Sequence, residues 1–169
     1  MIILAIDPGN MESGYAVIEM PIFEIRECGK IENKELLKRI TELSITGDIY
    51  DFDALAIEMV ASYGMAVGKD VFETCVWSGR FIERWYSLFD APYYYIYRKD
   101  EKMTLCHSMK ANDSNIRRAL IDRYAKHDLK NGKGTKKNPD VFYGVSKDMW
   151  SAIAVGVTWY EQRENNGRD

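Results

Sequence analysis

Two short apolar segments of this chain each end in an acidic residue. Ile2–Ile6 is wholly apolar and is followed by Asp7 and by the turn residues Pro8-Gly9-Asn10. Ala54–Ile57 is equally apolar and ends at Glu58. Short apolar runs of this length, bounded by turn signals, are typical of strands buried inside a sheet. The sequence therefore predicts two buried strands, each with a carboxylate at its carboxyl end.

The rest of the chain alternates between strand-like and helix-like patterns. Strands are predicted at Ile2–Asp7, Ser13–Met20, Ile22–Cys28, Ala54–Ile57 and Tyr93–Tyr97, and helices at Lys34–Ser44, Val71–Phe89, Asn112 or Asp113 to Tyr124, and Lys147–Arg163. Asn33 and Ser146 are the predicted caps of the first and last helices. Strands that first meander and then alternate with helices indicate an α/β fold with a mixed sheet.

An apolar stripe runs along the second predicted helix, Val71–Phe89. It consists of Phe72, Cys75, Val76, Phe81, Ile82 and Trp85. The aromatic residues Trp77, Phe81 and Trp85 are expected in the core or at a dimer interface.

The length of 169 residues suits one soluble globular domain, 1–169. The longest apolar stretch, Ala152–Tyr160, has nine residues, whereas a membrane-spanning helix needs about 20. The N-terminus lacks the basic segment of a signal peptide. Cys28, Cys75 and Cys106 show no CxxC spacing, so we expect free thiols and a cytoplasmic protein.

Charge is divided unevenly along the chain. The net charge is −3, which by itself argues against a nucleic-acid partner. The 40 residues Arg98–Lys137, however, contain 12 basic and 5 acidic residues, a charge of +7, and the other 129 residues carry −10. The basic block predicts a surface that binds a polyanion such as the DNA backbone. The alternative is a solvated helix face followed by a charged loop, the polar segment Lys130–Pro139.

Three acids stand at positions where a catalytic site is expected. Asp7 and Glu58 end buried strands, and sites in open α/β sheets form outside the carboxyl ends of strands. Asp148 falls in the first turn of the predicted last helix, where the helix dipole favours an anion. Singly, each has an ordinary explanation: a turn residue, a solvated strand end and a helix-terminal acid. Together they would repel one another unless cations lay between them, and oxygen ligands of this kind suit Mg²⁺ or Mn²⁺.

Several segments, in their order along the chain, carry a family resemblance. They are Ile6-Asp7-Pro8-Gly9 with Ser13–Ile18, Ala56-Ile57-Glu58, Ser78-Gly79-Arg80, Asp148–Val155, Lys102–Ile116 and Lys133–Val145. Together they resemble RuvC-type Holliday junction resolvases of the RNase H-like superfamily, and most of all the bacteriophage-encoded branch. The resemblance implies an RNase H-like mixed five-stranded sheet flanked by helices, and a homodimer in the bacterial cytoplasm. It also implies a Mg²⁺-dependent endonuclease that resolves four-way DNA junctions by paired symmetrical nicks.

The resemblance implies roles for individual residues. Asp7, Glu58 and Asp148 are the implied catalytic carboxylates and the ligands of two Mg²⁺ or Mn²⁺ ions. Ser151 stands where the family carries a further acid, so it reaches a metal only through its hydroxyl or a bound water. Lys102 matches the first of two lysines near the scissile phosphate and is the implied catalytic cation.

Other positions are expected to contact DNA. The second family lysine falls on Asp113, with Lys110 the nearest replacement, and the junction-stacking aromatic falls on Ala61, with Tyr63 the available substitute. The residues expected to bind the DNA backbone are Lys110, Arg117, Arg118, Lys133, Lys136 and Lys137.

The departures from the family leave three alternatives. The first is a nuclease that cuts flaps, forks and other branched DNA with a looser preference. The second is a junction-binding protein without catalysis, favoured if Ser151 abolishes metal binding. The third is an actin-like or sugar-kinase-like phosphotransferase, because Asp-x-Gly after a strand also opens those ATP sites. Such folds need two duplicated domains, for which 169 residues are too few, so we expect no nucleotide cofactor.

Overall fold

The chain folds around a central five-stranded sheet with helices on both faces. The structure is a computed structural model that describes residues 1–45, 51–62, 64 and 66–166. Its elements are β1 (Ile2–Asp7), β2 (Glu12–Glu19), β3 (Glu24–Glu32), α1 (Asn33–Ile45), β4 (Phe52–Glu58), α2 (Lys69–Tyr86), β5 (Tyr93–Ile96), α3 (Arg98–Cys106), α4 (Asp113–Tyr124) and α5 (Met149–Asn166). The mixed sheet predicted from the sequence is confirmed.

The strand order is β3-β2-β1-β4-β5. β1, β2 and β3 form the antiparallel meander, whereas β4 and β5 run parallel to β1. A parallel pair needs a crossover, and α1 and α2 lie in the two crossover connections of this sheet. The central position of β1 explains its wholly apolar sequence, since Ile3 to Ile6 are fully buried.

The two faces of the sheet carry separate hydrophobic clusters. α1 and α2 cover one face, with Leu36, Ile40, Phe81 and Trp85 buried against it. α3, α4 and α5 cover the other face, and α5 packs directly across the central strands. Gly156 permits that approach, because a Cβ atom there would lie 3.0 Å from the Cβ of Ala5.

Three helix predictions need correction. α5 begins at Met149, so Asp148 directly precedes the helix and Ser146 lies too early to cap it. Asn33 does begin α1, but its side chain binds the loop after β1 instead of capping the helix. The predicted stripe on α2 is only partly covered, because Phe72 and Val76 are 62% and 63% exposed.

The helix α3 was not predicted from the sequence. It has nine residues and only Glu101 and Leu105 are buried. One of these two is a carboxylate, so the apolar periodicity that reveals an amphipathic helix is missing. In the described part of the chain, no helix is both long and apolar enough to cross a membrane.

Candidate active site

One row of residues crosses the sheet at the carboxyl end of β1. Lys30 of β3 pairs with Gly14 of β2, and Gly14 pairs with Asp7 of β1. On the other side, the parallel register that aligns Ile6 with Ile57 brings Glu58 beside Asp7. The strand pairing therefore places Lys30 and the two acids Asp7 and Glu58 in one row across the sheet.

Gly14 allows Asp148 to join this row from above the sheet. A Cβ atom at Gly14 would lie 2.4 Å from the Asp148 carbonyl oxygen, so only glycine lets the start of α5 come this close. The Asp148 carboxylate then reaches Lys30, with 2.8 Å between Nζ and Oδ2. Lys30 also lies 3.4 Å from Glu12. Lys30, which the sequence analysis did not single out, thus holds the third carboxylate of the site.

Asp7 and Glu58 share a hydrogen bond between their carboxyl groups. Burial raises the pKa of Asp7 to about 8, and the charges of Glu58 and Asp148 act in the same direction. Burial and the charge of Glu101 raise the pKa of Glu58 as well. A hydrogen bond between two carboxyl groups needs a proton on one of them, so the pair carries a shared proton in the absence of a cation.

Glu101 is a further carboxylate that sequence reasoning missed. It is fully buried, and one of its oxygens pairs with Arg98 on the same helix. Its other oxygen, Oε1, has no hydrogen-bond partner. Burial raises the pKa of Glu101 to about 7, with Arg98 opposing and Asp7 adding to the rise. Arg98 also pairs with Asp113, the position where the family resemblance expects a second lysine.

A buried polar network holds the turn that follows Asp7. The Ser13 hydroxyl accepts a hydrogen bond from the Gly9 backbone N–H at 3.2 Å and donates one to Asn33 Oδ1 at 2.6 Å. The Asn33 amide donates in turn to the Gly9 carbonyl at 2.9 Å. Each buried polar group is thereby satisfied, so the end of β1 is fixed to the start of α1.

Ser151 contacts one of these carboxylates, and Lys102 lies next to Glu101 in sequence. The Ser151 side chain, on the first turn of α5, hydrogen-bonds Asp7. Lys102 follows Glu101 on α3, is half-buried, and makes no salt bridge within the described residues. The structure therefore brings Ser151 to Asp7 and leaves the Lys102 ammonium without a salt bridge in the described part of the chain.

The side chains suit a divalent cation in their chemistry. In the described part of the chain, no three Asp, Glu, His or Cys side chains are arranged so that they could coordinate one metal ion as they stand. Instead Asp7 binds Glu58, and Asp148 binds Lys30. The donors are nevertheless hard oxygens, the ligand type of Mg²⁺ and Mn²⁺. The unpartnered Oε1 of Glu101 and the shared proton of Asp7 and Glu58 are both features that a cation would relieve.

The basic residues of α4 are partly engaged within the protein. The Arg117 guanidinium lies over the Trp150 ring, 4.7 Å from its centroid. Arg118 pairs with Asp122 and donates to the Lys130 carbonyl. Lys110, in the connection before α4, is exposed.

The segment Lys130–Pro139, called here the basic loop, is built around two aspartates. Buried Asp140 accepts four backbone N–H bonds, from Lys126, His127, Asp128 and Val141. Asp128 accepts three more, from Asn131, Lys133 and Gly134. The loop is therefore an ordered structure that presents exposed Lys136 and Lys137 and half-buried Lys133.

The basic loop is rooted away from the carboxylates. Lys126 and Pro139–Val141 line a groove together with Ile22–Ile25, which comprise the end of the turn between β2 and β3 and the start of β3. This turn lies at the end of the sheet where Ile2 pairs with Glu19, whereas Asp7 is at the other end of β1. Five residues of strand separate the two ends, or about 17 Å. Tyr63, the expected junction-stacking residue, lies outside the described residues.

Solved structures share this arrangement of strands and helices. RuvC of Thermus thermophilus in complex with a Holliday junction substrate matches with a TM-score of 0.67 at 16% identity, over 97% of this chain and 95% of that chain. A second Thermus thermophilus RuvC structure gives 0.68 at 16% identity, over 98% and 97%. The chain has the RuvC fold. Fowlpox virus resolvase with Holliday junction DNA gives 0.53 at 14% identity, over 96% and 99%.

In sequence, the chain matches no protein-family model and no curated protein. The RuvC fold therefore rests on the architecture. This architecture explains why Asp7 and Glu58 meet: the adjacent strands β1 and β4 are parallel, so their carboxyl ends lie side by side at the same end of the sheet.

We predict that Asp7→Asn stabilises the metal-free protein at alkaline pH. The pKa of Asp7 is about 8 in the folded chain, against an ordinary value of 3.8. Between those values the folded state binds the extra proton, so the free energy of unfolding falls as pH rises, and the full penalty is present above pH 8. Asparagine removes this penalty, and at pH 8 we expect a gain on the order of 1–2 kcal/mol.

The measurement is denaturant unfolding of both proteins in EDTA at pH 5 and pH 8. The gain should shrink toward pH 5, where Asp7 stays protonated in the folded chain. An Asp7→Asn protein less stable than wild type at pH 8 would contradict the shared-proton description.

Proposed function

We propose that this chain is a Mg²⁺-dependent, structure-selective endodeoxyribonuclease that resolves four-way DNA junctions by paired symmetrical nicks. The observation that carries the proposal is the meeting of Asp7 and Glu58 at one sheet edge, with Asp148 reaching the same row over Gly14. The RuvC fold supports the same reading, since solved structures with this fold are junction resolvases, two of them with junction DNA. We further propose that it acts in the cytoplasm of a bacterium and is encoded by a bacteriophage.

Asp7, Glu58 and Asp148 are the proposed metal ligands, and Ser151 assists through its hydroxyl. Two bound Mg²⁺ or Mn²⁺ ions would activate the attacking water and stabilise the leaving oxygen. Asp7 and Glu58 would hold a cation once their shared proton has passed to solvent, and Asp148, now paired with Lys30, would supply the third carboxylate. Water would attack phosphorus in line and lose a proton to solvent, while the bond from phosphorus to the 3′ oxygen breaks and that oxygen takes a proton from solvent water. The Lys102 ammonium neutralises the charge that builds on the phosphoryl oxygens.

The basic residues hold the DNA backbone without reading sequence. Lys110, exposed in the connection between α3 and α4, would bind phosphate, and Lys133, Lys136 and Lys137 would contact phosphates of a duplex arm away from the cut. Arg117 stacks on Trp150 and Arg118 pairs with Asp122, so only the guanidinium N–H groups outside these contacts are available for phosphates. Tyr63 remains the proposed stacking residue at the junction centre.

A homodimer would place one active site on each of two opposed strands. The exposed apolar face of α2 is the proposed interface. Phe72 and Val76 line a groove of about 1000 Å³ together with Met11, which is 74% exposed. Lys69 and Glu73 border the same groove. A two-fold interface must be self-complementary, and a helix face that carries both charges beside an apolar patch meets that requirement with its own copy.

One observation favours a second candidate, a nuclease with a looser preference for branched DNA. The place of the second family lysine is taken by Asp113, whose carboxylate pairs with Arg98. With fewer basic side chains at the scissile phosphate, the protein would select one junction geometry less strongly. The two candidates differ in whether flaps and forks are cut as fast as four-way junctions.

We predict that Glu58→Gln abolishes cleavage and keeps junction binding. The amide has the shape of the acid but no charge for a cation, so we expect a loss of at least about 1000-fold in the cleavage rate. The assay uses a labelled mobile four-way junction, a flap and a linear duplex, in Mg²⁺, Mn²⁺ and EDTA, with binding measured in Ca²⁺. Glu161→Gln is the control, because Glu161 pairs with Arg123 away from the site.

Paired nicks on the junction alone establish resolution, and equal cutting of junction and flap favours the looser nuclease. Unchanged cleavage by Glu58→Gln would refute the assignment of the site. Junction binding without cleavage by the wild type would identify a binding protein.

We predict that the triple variant Lys133→Ala, Lys136→Ala, Lys137→Ala weakens junction binding and leaves the cleavage rate at saturating protein unchanged. Its plot of log binding constant against log salt concentration should be shallower by about 2–3, the counterion release of three phosphate contacts. Lys34→Ala with Lys38→Ala is the control, since these exposed lysines lie on α1, on the other face of the sheet. An equal change in both proteins would show that the basic loop has no special role.

We predict that Phe72→Lys with Val76→Lys converts the dimer to a monomer, because a charge buried in an apolar interface is destabilising. Light scattering at micromolar concentration measures the mass. Leu129→Lys, which places the same charge on an apolar residue 61% exposed elsewhere, should leave the dimer intact. A wild-type mass of about 20 kDa would contradict the dimer, since one chain is 19.6 kDa.

A further inference from the structure

The end of β5 delivers one helix directly to the carboxylate row. Ile96 of β5 pairs with Glu58, and the Ile96 carbonyl accepts the N–H of Met59 at 2.8 Å. α3 begins two residues later, so its first turn starts beside Glu58. Glu101 lies in that turn and has no solvent exposure. The fold therefore places a fourth carboxylate behind the pair formed by Asp7 and Glu58.

The hydrogen bonding of Glu101 is incomplete in an unusual way. Arg98 pairs with Oε2, and Oε1 has no partner. A buried carboxylate oxygen without a partner is strongly unfavourable, and buried charges are normally paired or bound to metal. Within the described residues, Arg98 is the base that acts on Glu101, whereas Asp7, Asp113 and Glu58 are acids that repel it. No protein donor in the described part of the chain supplies what Oε1 lacks.

We propose that Glu101 is a fourth carboxylate of the divalent-cation site, with Oε1 facing the cation that Asp7 and Glu58 bind, directly or through a metal-bound water. Arg98 is a positioning residue, because its bond to Oε2 sets the direction of Oε1. The proposal rests on the metal-dependent function proposed above. It supplies a charge that Ser151, which hydrogen-bonds Asp7 from α5, does not bring.

The competing explanation is a structural ion pair that fixes the first turn of α3. It predicts that Glu101→Gln destabilises the metal-free protein and leaves metal affinity unchanged. A cation ligand behaves in the opposite manner. Removing the charge of a cation ligand at this position relieves repulsion with Asp7 and Glu58 in the metal-free state. It also lowers the affinity of the site for the metal ion.

The test measures Mn²⁺ binding by isothermal titration calorimetry and the thermal midpoint with and without Mn²⁺. We expect Glu101→Gln to lower the affinity for Mn²⁺ at least about 10-fold. In EDTA, the thermal midpoint of the variant should equal or exceed that of the wild type. The rise in midpoint at saturating Mn²⁺ should be smaller than in wild type, because stabilisation follows binding. The matched control is Glu161→Gln, another glutamate paired with an arginine, and its Mn²⁺ affinity should not change.

Two further variants complete the design. In the Glu101→Gln background, Ser151→Asp returns a carboxylate beside Asp7, and we expect it to recover Mn²⁺ affinity. Glu101→Asp keeps the charge but withdraws it by one methylene, so affinity should fall several-fold with little change of the midpoint in EDTA. This variant decides the question if Glu101→Gln does not fold.

Unchanged Mn²⁺ affinity in both Glu101 variants would overturn the inference and leave the proposed nuclease function intact. Wild-type protein that binds Mn²⁺ without nicking junctions would refute the function, whereas the role of Glu101 would still be read from the binding data. Wild-type protein that binds no Mn²⁺ would overturn both.

Discussion

Asp7 and Glu58 sit at the ends of adjacent parallel strands, where strand register forces two carboxyl groups into contact. Burial and mutual repulsion both disfavour their ionisation, so the metal-free fold keeps a proton between them. The fold tolerates this because the strands that carry them are buried and apolar on either side. The buried sheet thus holds two acids in contact at a cost in stability, which a bound cation would remove.

Two basic side chains flank this pair of acids, one at each edge of the sheet. Lys30 of β3 binds Asp148, and Arg98 of α3 binds Glu101 and Asp113. Both pair with outlying acids and leave Asp7 and Glu58 in contact with each other. Glycine at position 14 makes the first of these contacts feasible, since any side chain there would displace the Asp148 backbone. The site is therefore assembled by strand register, a missing side chain and two ion pairs.

The parts of this site differ in how far the sequence predicts them. Asp7 and Glu58 were predictable, because a carboxylate after a wholly apolar strand has few structural uses. Lys30 depends on the register of β2 and β3, which periodicity does not specify. Glu101 was missed because a short helix with a buried acid lacks an apolar pattern. Phe72 on α2 shows a further limit, since periodicity tells which residues share a face and not whether that face is covered.

The basic loop shows how charge segregation in sequence becomes geometry. Asp128 and Asp140 bind seven backbone N–H groups between them, so the lysines of the loop project from an ordered scaffold. Its roots lie beside the turn between β2 and β3, at the sheet end opposite the carboxylates. β1 spans about 17 Å between the two ends, so in the proposed nuclease one DNA arm would extend from the loop to the carboxylates. In the proposed nuclease, lysines set apart from the acidic site would bind phosphates without competing with the cations proposed for the carboxylates.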